Sequence, residues 1–262
     1  MTVPVHLASS HKYTYNLAVA DATALIALVI ADCVTNGNPA WTNLGGNVIK
    51  SPVDSYGRFY TVGMTATSGT QLTLVVTDQY GTVIDTRCID LNGAPGNDCV
   101  IYSGQYHLWI DSMRATPENF RSGILDCTPQ AQNVWNTAVY CLAMRNSANT
   151  VTSNETNYLS ISGVTAANTL ILTLAAVSNT SYAQQTPAGD YIFWPVWVIN
   201  TALTPYRTMG RMYQVLVGPG NLAIGTLVNV PIDTGVLAKF RVCGTSSTSY
   251  QMASYKFLVR AD

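Results

Sequence analysis

Short segments in which apolar and polar residues alternate recur along most of this chain, and turn residues separate them. Four such segments follow one another in the first half, at 58–67, 71–77, 82–91 and 100–110. Strands of this length, closely spaced and separated by Gly, Asn and Asp, are typical of antiparallel β-sandwiches and barrels. We therefore predict a mainly β fold, either an antiparallel β-sandwich or a barrel.

The same pattern returns in the second half after a different kind of segment. Residues 112–133 contain Pro117 and Pro129 and predict a long connection with room for a short helix, and residues 134–145 predict a strand. Seven further strand-like segments lie at 157–163, 170–177, 190–200, 211–218, 221–230, 236–244 and 249–260.

One segment near the N-terminus has a helical pattern. It follows an alternating strand at 13–19 and begins at Asp21, a good N-cap residue. Apolar residues then recur at helical spacing until Asn36-Gly37, a sequence that ends helices. We predict one short buried helix at about 21–35, packed against a sheet.

The length of 262 residues and a polar stretch in the middle predict two β domains. The first spans 1–145 and carries the helix, residues 146–157 form a linker or exposed loop, and a C-terminal β-sandwich domain spans 158–262. The alternative is one larger sandwich whose second sheet comes from the C-terminal strands.

Charged residues make up only 10% of the chain, with two Glu and four Lys. A surface with so few charges promotes association, so the composition favours a subunit of an assembly. The net charge of −1 and the absence of basic clusters give no reason to expect binding to nucleic acid or to an anionic membrane. The N-terminus lacks the pattern of a secretory signal, and the longest apolar run, 23–31, is too short to cross a bilayer.

The common catalytic and phosphate-binding motifs are absent from the sequence. Of the three histidines, His6 and His11 lie near the N-terminus and favour an arm or an interface over a metal site. The alternation places His107 on the same strand face as Trp109, and we interpret it as a strand histidine with its hydrogen bonds satisfied instead of a ligand-binding residue. We expect no catalytic residues, no metal, no cofactor and no small-molecule substrate.

An acid-rich segment at 78–99 raises the question of a metal site. Asp78 begins a four-residue turn that Gly81 closes, and Asp85 shares a solvated strand face with Arg87. The loop from Asp90 to Asp98 starts like a calcium loop but lacks the later ligands, so Asx turns explain it better.

Cys88 and Cys99 flank this loop. Synthesis in a cytoplasm favours reduced, buried thiols. The alternative is a disulfide between Cys88 and Cys99, formed after release from the cell if a hairpin brings the two residues opposite each other.

Two segments of the second half have the composition of subunit interfaces. The segment 191–199 is aromatic and contains Pro195, which confines a strand to an edge or a bulge. It is interpreted either as core or as an edge covered by a neighbouring subunit. The candidate interface residues are Tyr191, Phe193, Trp194, Trp197, Arg207, Met209, Arg211 and Met212.

The segments 17–41, 57–85 and 246–262 resemble virion structural proteins of tailed bacteriophages. The resemblance implies a β-rich subunit of a tail, neck, baseplate or capsid-associated assembly, without catalytic residues. We therefore expect a non-enzymatic structural subunit of a symmetric multimer, located in the virion after synthesis in the host cytoplasm. Its expected partners are copies of itself and other virion proteins. The alternative is a carbohydrate- or receptor-binding module of a phage particle.

Overall fold

In the computed structural model, the residues described are 11–17, 21–37, 39–91, 97–112, 119–126, 139–143, 145–146, 160–161, 169–172, 193–200, 207–219, 222–223, 225–233, 235–243 and 255–261. They form a mainly β structure with two antiparallel sheets and one short helix, as predicted. Several predicted features lie outside this part of the chain: His6, Tyr191, most of the 146–157 segment and the loop residues 92–96.

The smaller sheet has six strands in the order β11-β6-β5-β4-β3-β2. Their bounds are β2 Thr42–Gly45, β3 Val48–Lys50, β4 Tyr60–Ala66, β5 Gln71–Asp78, β6 Val83–Asp90 and β11 Arg145–Asn146. On β5 every second residue is buried, from Leu72 to Asp78. The strict alternation of the sequence therefore matches a sheet with one face toward the core.

The larger sheet has twelve strands and contains the main path β1-β7-β8-β9-β15-β18-β17-β16. Strands β10 and β12 branch from β9, and β13 and β14 branch from β15. The bounds are β1 His11–Leu17, β7 Asn97–Ser103, β8 His107–Ser112, β9 Asn119–Asp126, β10 Val139–Ala143, β12 Ser160–Ile161, β13 Thr169–Leu172, β14 Trp194–Asn200, β15 Arg207–Pro219, β16 Leu227–Asp233, β17 Val236–Val242 and β18 Tyr255–Arg260.

The helix α1 spans Ala22–Ile30 and continues as one π-helical stretch over Ala31–Thr35. Its predicted cap is confirmed, because the Asp21 carboxylate accepts hydrogen bonds from the backbone N–H groups of Thr23 and Ala24 at 2.9 and 3.2 Å. Within the described part of the chain, no helix is both long enough and apolar enough to span a membrane.

The helix and the small sheet pack on one face of the large sheet. Their shared core contains Leu25 and Val29 of α1, Leu74 of β5, and Leu108 and Phe120 of the large sheet. The opposite face of the large sheet carries a second core, in which Trp109 and Leu125 meet Met209, Val217 and Phe257. Because β9 pairs with β15 and this core draws on both halves of the sequence, the large sheet continues across the predicted domain boundary.

Two predictions for the first half were wrong. The segment 100–110 forms two strands instead of one, because Gly104 turns the chain and its N–H donates to the His107 carbonyl at 2.9 Å. The predicted connection at 112–133 contains β9, which pairs with β8, β10 and β15 and is therefore a central strand.

Candidate subunit interface

The large, exposed apolar side chains of the described residues fall into two separate groups. One group lies on the small sheet and its loops: Leu44, Val53, Tyr56, Tyr80 and Val83. The other lies on the C-terminal strands of the large sheet: Trp194, Leu227, Ile232, Val236 and Leu237. Because large exposed apolar patches mark interaction sites, these two groups are the candidates for contacts with other molecules.

The second group is densest at the end of the β16–β17 hairpin. We call the exposed apolar side chains of Pro231, Ile232, Val236 and Leu237, near the end of this hairpin, the hairpin tip. Ile232, Val236 and Leu237 are 46%, 48% and 60% exposed. The tip therefore presents a compact apolar surface without a cover in the described structure.

The tip is exposed because the core beneath the hairpin ends before it. The side chains of Val230, Ala238 and Phe240 pack with Leu258 in a small third core. This core lies under the part of the hairpin away from the tip. The pairing register shifts between Pro231 and Asp233, and Gly235 adopts a left-handed φ of 73°. The register shift and Gly235 turn the chain beyond the last buried pair, Val230 and Ala238. In the described structure, no other element therefore covers the apolar residues of the tip.

Strand β16 also ends the large sheet. Among the described strands it pairs only with β17, so the outward N–H and C=O groups of Leu227–Val230 lack a strand partner. Pro231 and the register shift interrupt this edge, as is common where proteins limit uncontrolled strand addition. The edge of β16 therefore permits a short contact with another molecule and opposes continuous pairing with an added strand.

Those predicted interface residues whose side chains the structure describes do not form one surface. Met209 and Met212 are buried in the second core, so their assignment to an interface is corrected: these residues pack within the chain. Phe193 packs against the third core, and Trp197 is half-buried. Trp194 is 37% exposed and remains a candidate contact.

Of the two predicted interface arginines, the structure describes the side chain of only one. Arg211 is exposed and forms an ion pair with Asp126 at 2.7 Å, which joins β15 to β9. Arg207 begins β15, and its side chain lies outside the described part. Pro195 lies at a register shift of β14, in agreement with its predicted place at an edge or a bulge.

A buried polar group lies on the second-core face of the large sheet. The Arg121 guanidinium is fully buried between the rings of Trp109 and Phe257, at 4.7 and 4.9 Å from their centroids. The Trp109 indole N–H donates to the Tyr140 hydroxyl at 3.1 Å. Because Arg121 and Trp109 are buried, the contact between the guanidinium and the ring is desolvated, which strengthens it.

His107 lies on this same face, as its alternation with Trp109 predicted. Its imidazole is buried, and neither ring nitrogen has a hydrogen-bond partner among the described residues. The predicted satisfied histidine is therefore wrong on this point. Burial lowers the pKa of His107 from 6.5 to about 4, so its ring is neutral near pH 7.

Asp32 is a second buried titratable group, which the sequence analysis did not identify. It lies in the π-helical stretch, and its carboxylate accepts a hydrogen bond from the Ser103 hydroxyl at 2.6 Å. Burial raises the pKa of Asp32 from 3.8 to about 7, and the Ser103 hydrogen bond partly opposes this rise. Asp32 faces the first core and His107 the second, so the sheet separates the two groups and they do not form an acid–base pair.

The acid-rich segment contains turn and core residues. The predicted Asp78 turn is confirmed: its carboxylate accepts hydrogen bonds from the N–H groups of Tyr80 and Thr82, both at 2.9 Å. Asp85 and Arg87 share a strand face, as predicted, and the structure adds that they form an ion pair. The prediction that this face is solvated was wrong, since Arg87 is only 3% exposed. This strand face points toward β10. Burial raises the pKa of the Cys141 thiol on β10, the Asp85 charge raises this pKa further, and the Arg87 charge opposes the rise.

Cys88 and Cys99 lie on strands of different sheets. Cys88 on β6 is opposite Thr73 and Arg145, whereas Cys99 on β7 is opposite Tyr15 and Ser112. The predicted disulfide required a hairpin in which Cys88 and Cys99 are opposite each other, and this hairpin is not formed. Their disulfide stays a prediction, and the Cys99 side chain lies outside the described part.

No group of three or more His, Cys, Asp or Glu side chains within the described ranges could hold a metal ion. No family model matches this chain, and no curated protein is significantly similar to it.

Proposed function

We propose that this chain is a non-enzymatic structural subunit of a symmetric multimer and that the hairpin tip is one of its subunit contacts. The observation that carries this proposal is the exposed apolar surface of Ile232, Val236 and Leu237 at the end of a sheet. A monomer gains nothing from exposing such side chains, whereas burial of each against a neighbour removes apolar surface from water.

The composition supports the same function. With 10% charged residues and a net charge of −1, the chain has little electrostatic repulsion to keep copies apart. The interrupted edge of β16 agrees with contacts that close, because Pro231 and the register shift oppose the open-ended strand pairing of a fibre.

The resemblance to virion proteins of tailed bacteriophages supports a specific setting for this multimer. We place the chain in the virion, as a component of the tail, neck, baseplate or capsid-associated structures. Its partners in this proposal are copies of itself and other virion proteins.

The test compares the purified full-length protein with the double variant Ile232→Lys/Leu237→Lys by sedimentation velocity and negative-stain electron microscopy. We expect rings or other closed assemblies for the unchanged protein. Two charges placed in the tip should weaken association by about tenfold or more, because apolar centres dominate interface energies.

The matched control is Leu44→Lys, since Leu44 is 55% exposed and lies on β2, away from the hairpin tip. It should leave the assembly unchanged. A stable monomer of the unchanged protein at high concentration would contradict the multimer. Assembly of the double variant equal to that of the control would contradict the role of the tip.

A further inference from the structure

Two turns at one end of the small sheet have the same sequence pattern and the same geometry. Asp54-Ser55-Tyr56-Gly57 lies between β3 and β4, and Asp78-Gln79-Tyr80-Gly81 lies between β5 and β6. Each has the form Asp-x-Tyr-Gly, and each glycine adopts a left-handed φ, 78° at Gly57 and 81° at Gly81.

The hydrogen bonds of the two turns correspond one by one. In each turn the Asp carboxylate accepts from the Tyr N–H at 2.9 Å and from the N–H two residues after the Tyr, at 2.8 Å for Arg58 and 2.9 Å for Thr82. In each, the Gly N–H donates to the Asp carbonyl, at 3.0 and 3.1 Å. Such bonds fix the backbone that carries the tyrosine.

Both tyrosines point into solvent. Tyr56 is 58% exposed and Tyr80 is 66% exposed. The Arg58 guanidinium lies 5.2 Å from the centroid of the Tyr56 ring, so one part of this ring has a fixed neighbour. Two rigid turns thus present two aromatic side chains at little cost in backbone entropy on binding.

The turns are neighbours in space. Tyr60 of β4 is directly opposite Asp78 of β5, and the Gln79 side-chain carbonyl accepts from the Phe59 N–H at 3.4 Å. Strands in a sheet lie about 4.8 Å apart, so the centres of these two hairpins are separated by about 10 Å. That separation is close to the length of two hexose units, so it would match alternate units of an extended sugar chain, which a disaccharide does not contain.

The surface around the two rings carries hydroxyl groups and few open charges. The Asp54 carboxylate and the Arg58 guanidinium pair with each other at 2.6 Å, and the side chains of both are nearly buried. Asp78 is 4% exposed and directs its carboxylate to backbone N–H groups. The exposed residues Ser55, next to Tyr56 in the chain, and Thr82, two residues after Tyr80, add hydroxyl groups to the same two turns.

We infer that Tyr56 and Tyr80 form a binding surface for an uncharged, extended oligosaccharide, with one ring stacked on each of two sugar units. The flat apolar face of a sugar suits an aromatic ring, and its hydroxyls suit the neighbouring Ser and Thr. The surface lies on the small sheet and is separate from the hairpin tip, so this inference does not depend on the proposed assembly.

The test measures binding of cellohexaose and chitohexaose, and of the corresponding disaccharides, to the full-length protein by isothermal titration calorimetry. We expect at least one hexasaccharide to bind, and to bind about threefold to tenfold more tightly than its disaccharide, because only the longer chain reaches both rings. The double variant Tyr56→Ala/Tyr80→Ala should lose about tenfold or more in affinity for it.

The matched variants are Tyr56→Phe/Tyr80→Phe, which keeps both rings and should stay within about threefold of the unchanged protein, and Leu44→Ala, which removes an exposed apolar side chain elsewhere on the same sheet. Absence of binding by both hexasaccharides, or equal binding by the double alanine variant, would overturn the inference. Sedimentation separates it from the assembly: a double alanine variant that dissociates would identify these tyrosines as a subunit contact and would also overturn it.

Discussion

At the scale of single residues, the large sheet buries two groups whose pKa values shift in opposite directions. Burial lowers the pKa of His107 to about 4 and raises that of Asp32 to about 7. Between pH 6.5 and pH 4, the unfolded chain holds a proton on the histidine that the folded chain does not. The folded state therefore loses stability as the pH falls from 6.5 to 4 through this group.

This shift predicts a pH-dependent difference between the unchanged protein and His107→Gln. The free energy of unfolding of the unchanged protein, relative to the variant, should fall by about 3 kcal/mol between pH 7 and pH 4. Urea denaturation of both proteins at several pH values in this range measures the difference. A difference that stays constant with pH would show that His107 is not buried in its neutral form.

Asp32 explains why the comparison with a variant is needed. Because its pKa is raised in the folded state, its contribution to stability is present below pH 3.8 and is lost as the pH rises through 7. Between pH 4 and 6.5 the effects of Asp32 and His107 nearly offset each other. Asp32 and His107 together should therefore change the stability of the unchanged protein little in this interval.

The sequence predicts which strand face His107 occupies, but it does not predict that its ring nitrogens lack hydrogen bonds. The alternation with Trp109 places the ring on a strand face, which local pattern alone can establish. Whether the ring nitrogens find partners depends on Gly123 of β9 and Gly104 of the preceding turn, and both are small residues that offer no side-chain polar group. Asp32 was missed for a related reason, since an acidic residue in an apolar helix looks solvent-facing until Ser103 from a distant strand is placed beside it.

At the scale of elements, predictions succeeded where the signal is local. The helix from Asp21 and the turn at Asp78 follow from capping and turn preferences within a few residues. Strand β9 was missed because Arg121 and Gly123 occupy its second face, where an apolar pattern would be expected. The Arg121 guanidinium is buried between the rings of Trp109, on the neighbouring strand β8, and Phe257, which lies far away in sequence.

Gly123 predicts how closely β9 is packed. A Cβ atom at this position would lie 2.7 Å from the Tyr140 hydroxyl and 2.8 Å from the Tyr106 carbonyl oxygen. Gly123→Ala should therefore lower the free energy of unfolding by about 1–3 kcal/mol, as overpacking of a core does. Urea denaturation at pH 7 measures this loss.

The matched control for this prediction is Gly63→Ala on β4. A Cβ atom there would have its nearest neighbours at 3.9 Å, which is ordinary van der Waals contact. Gly63→Ala should be neutral or slightly stabilising, because it restricts the unfolded chain without a clash. Equal effects of the two substitutions would mean that the close approach of β9 to Tyr140 is absent in solution.

At the scale of the whole molecule, the sequence indicates that the protein associates with other molecules but does not locate the surfaces that make contact. The low charge content predicts association, and this property is spread over the entire chain. The aromatic and methionine-rich segments were the natural candidates, yet Met209 and Met212 lie in the core. The hairpin tip can be located only when the extent of the third core is known. Ile and Val are also the usual residues of buried strands, so the sequence alone does not show that Ile232 and Val236 are exposed.

The apolar character of the tip predicts how assembly responds to salt and temperature. Exposed charge pairs weaken strongly in salt, because the Debye length falls from about 10 Å at 0.1 M to 3 Å at 1 M. An interface built on Ile232, Val236 and Leu237 should be insensitive to this screening, and its association constant should stay within about threefold between 0.1 and 1 M NaCl. Cooling from 25 to 5 °C should weaken it, since apolar burial contributes less at low temperature. Sedimentation equilibrium under these four conditions measures both effects, and dissociation by salt together with strengthening on cooling would indicate an interface held by charges instead of by the tip.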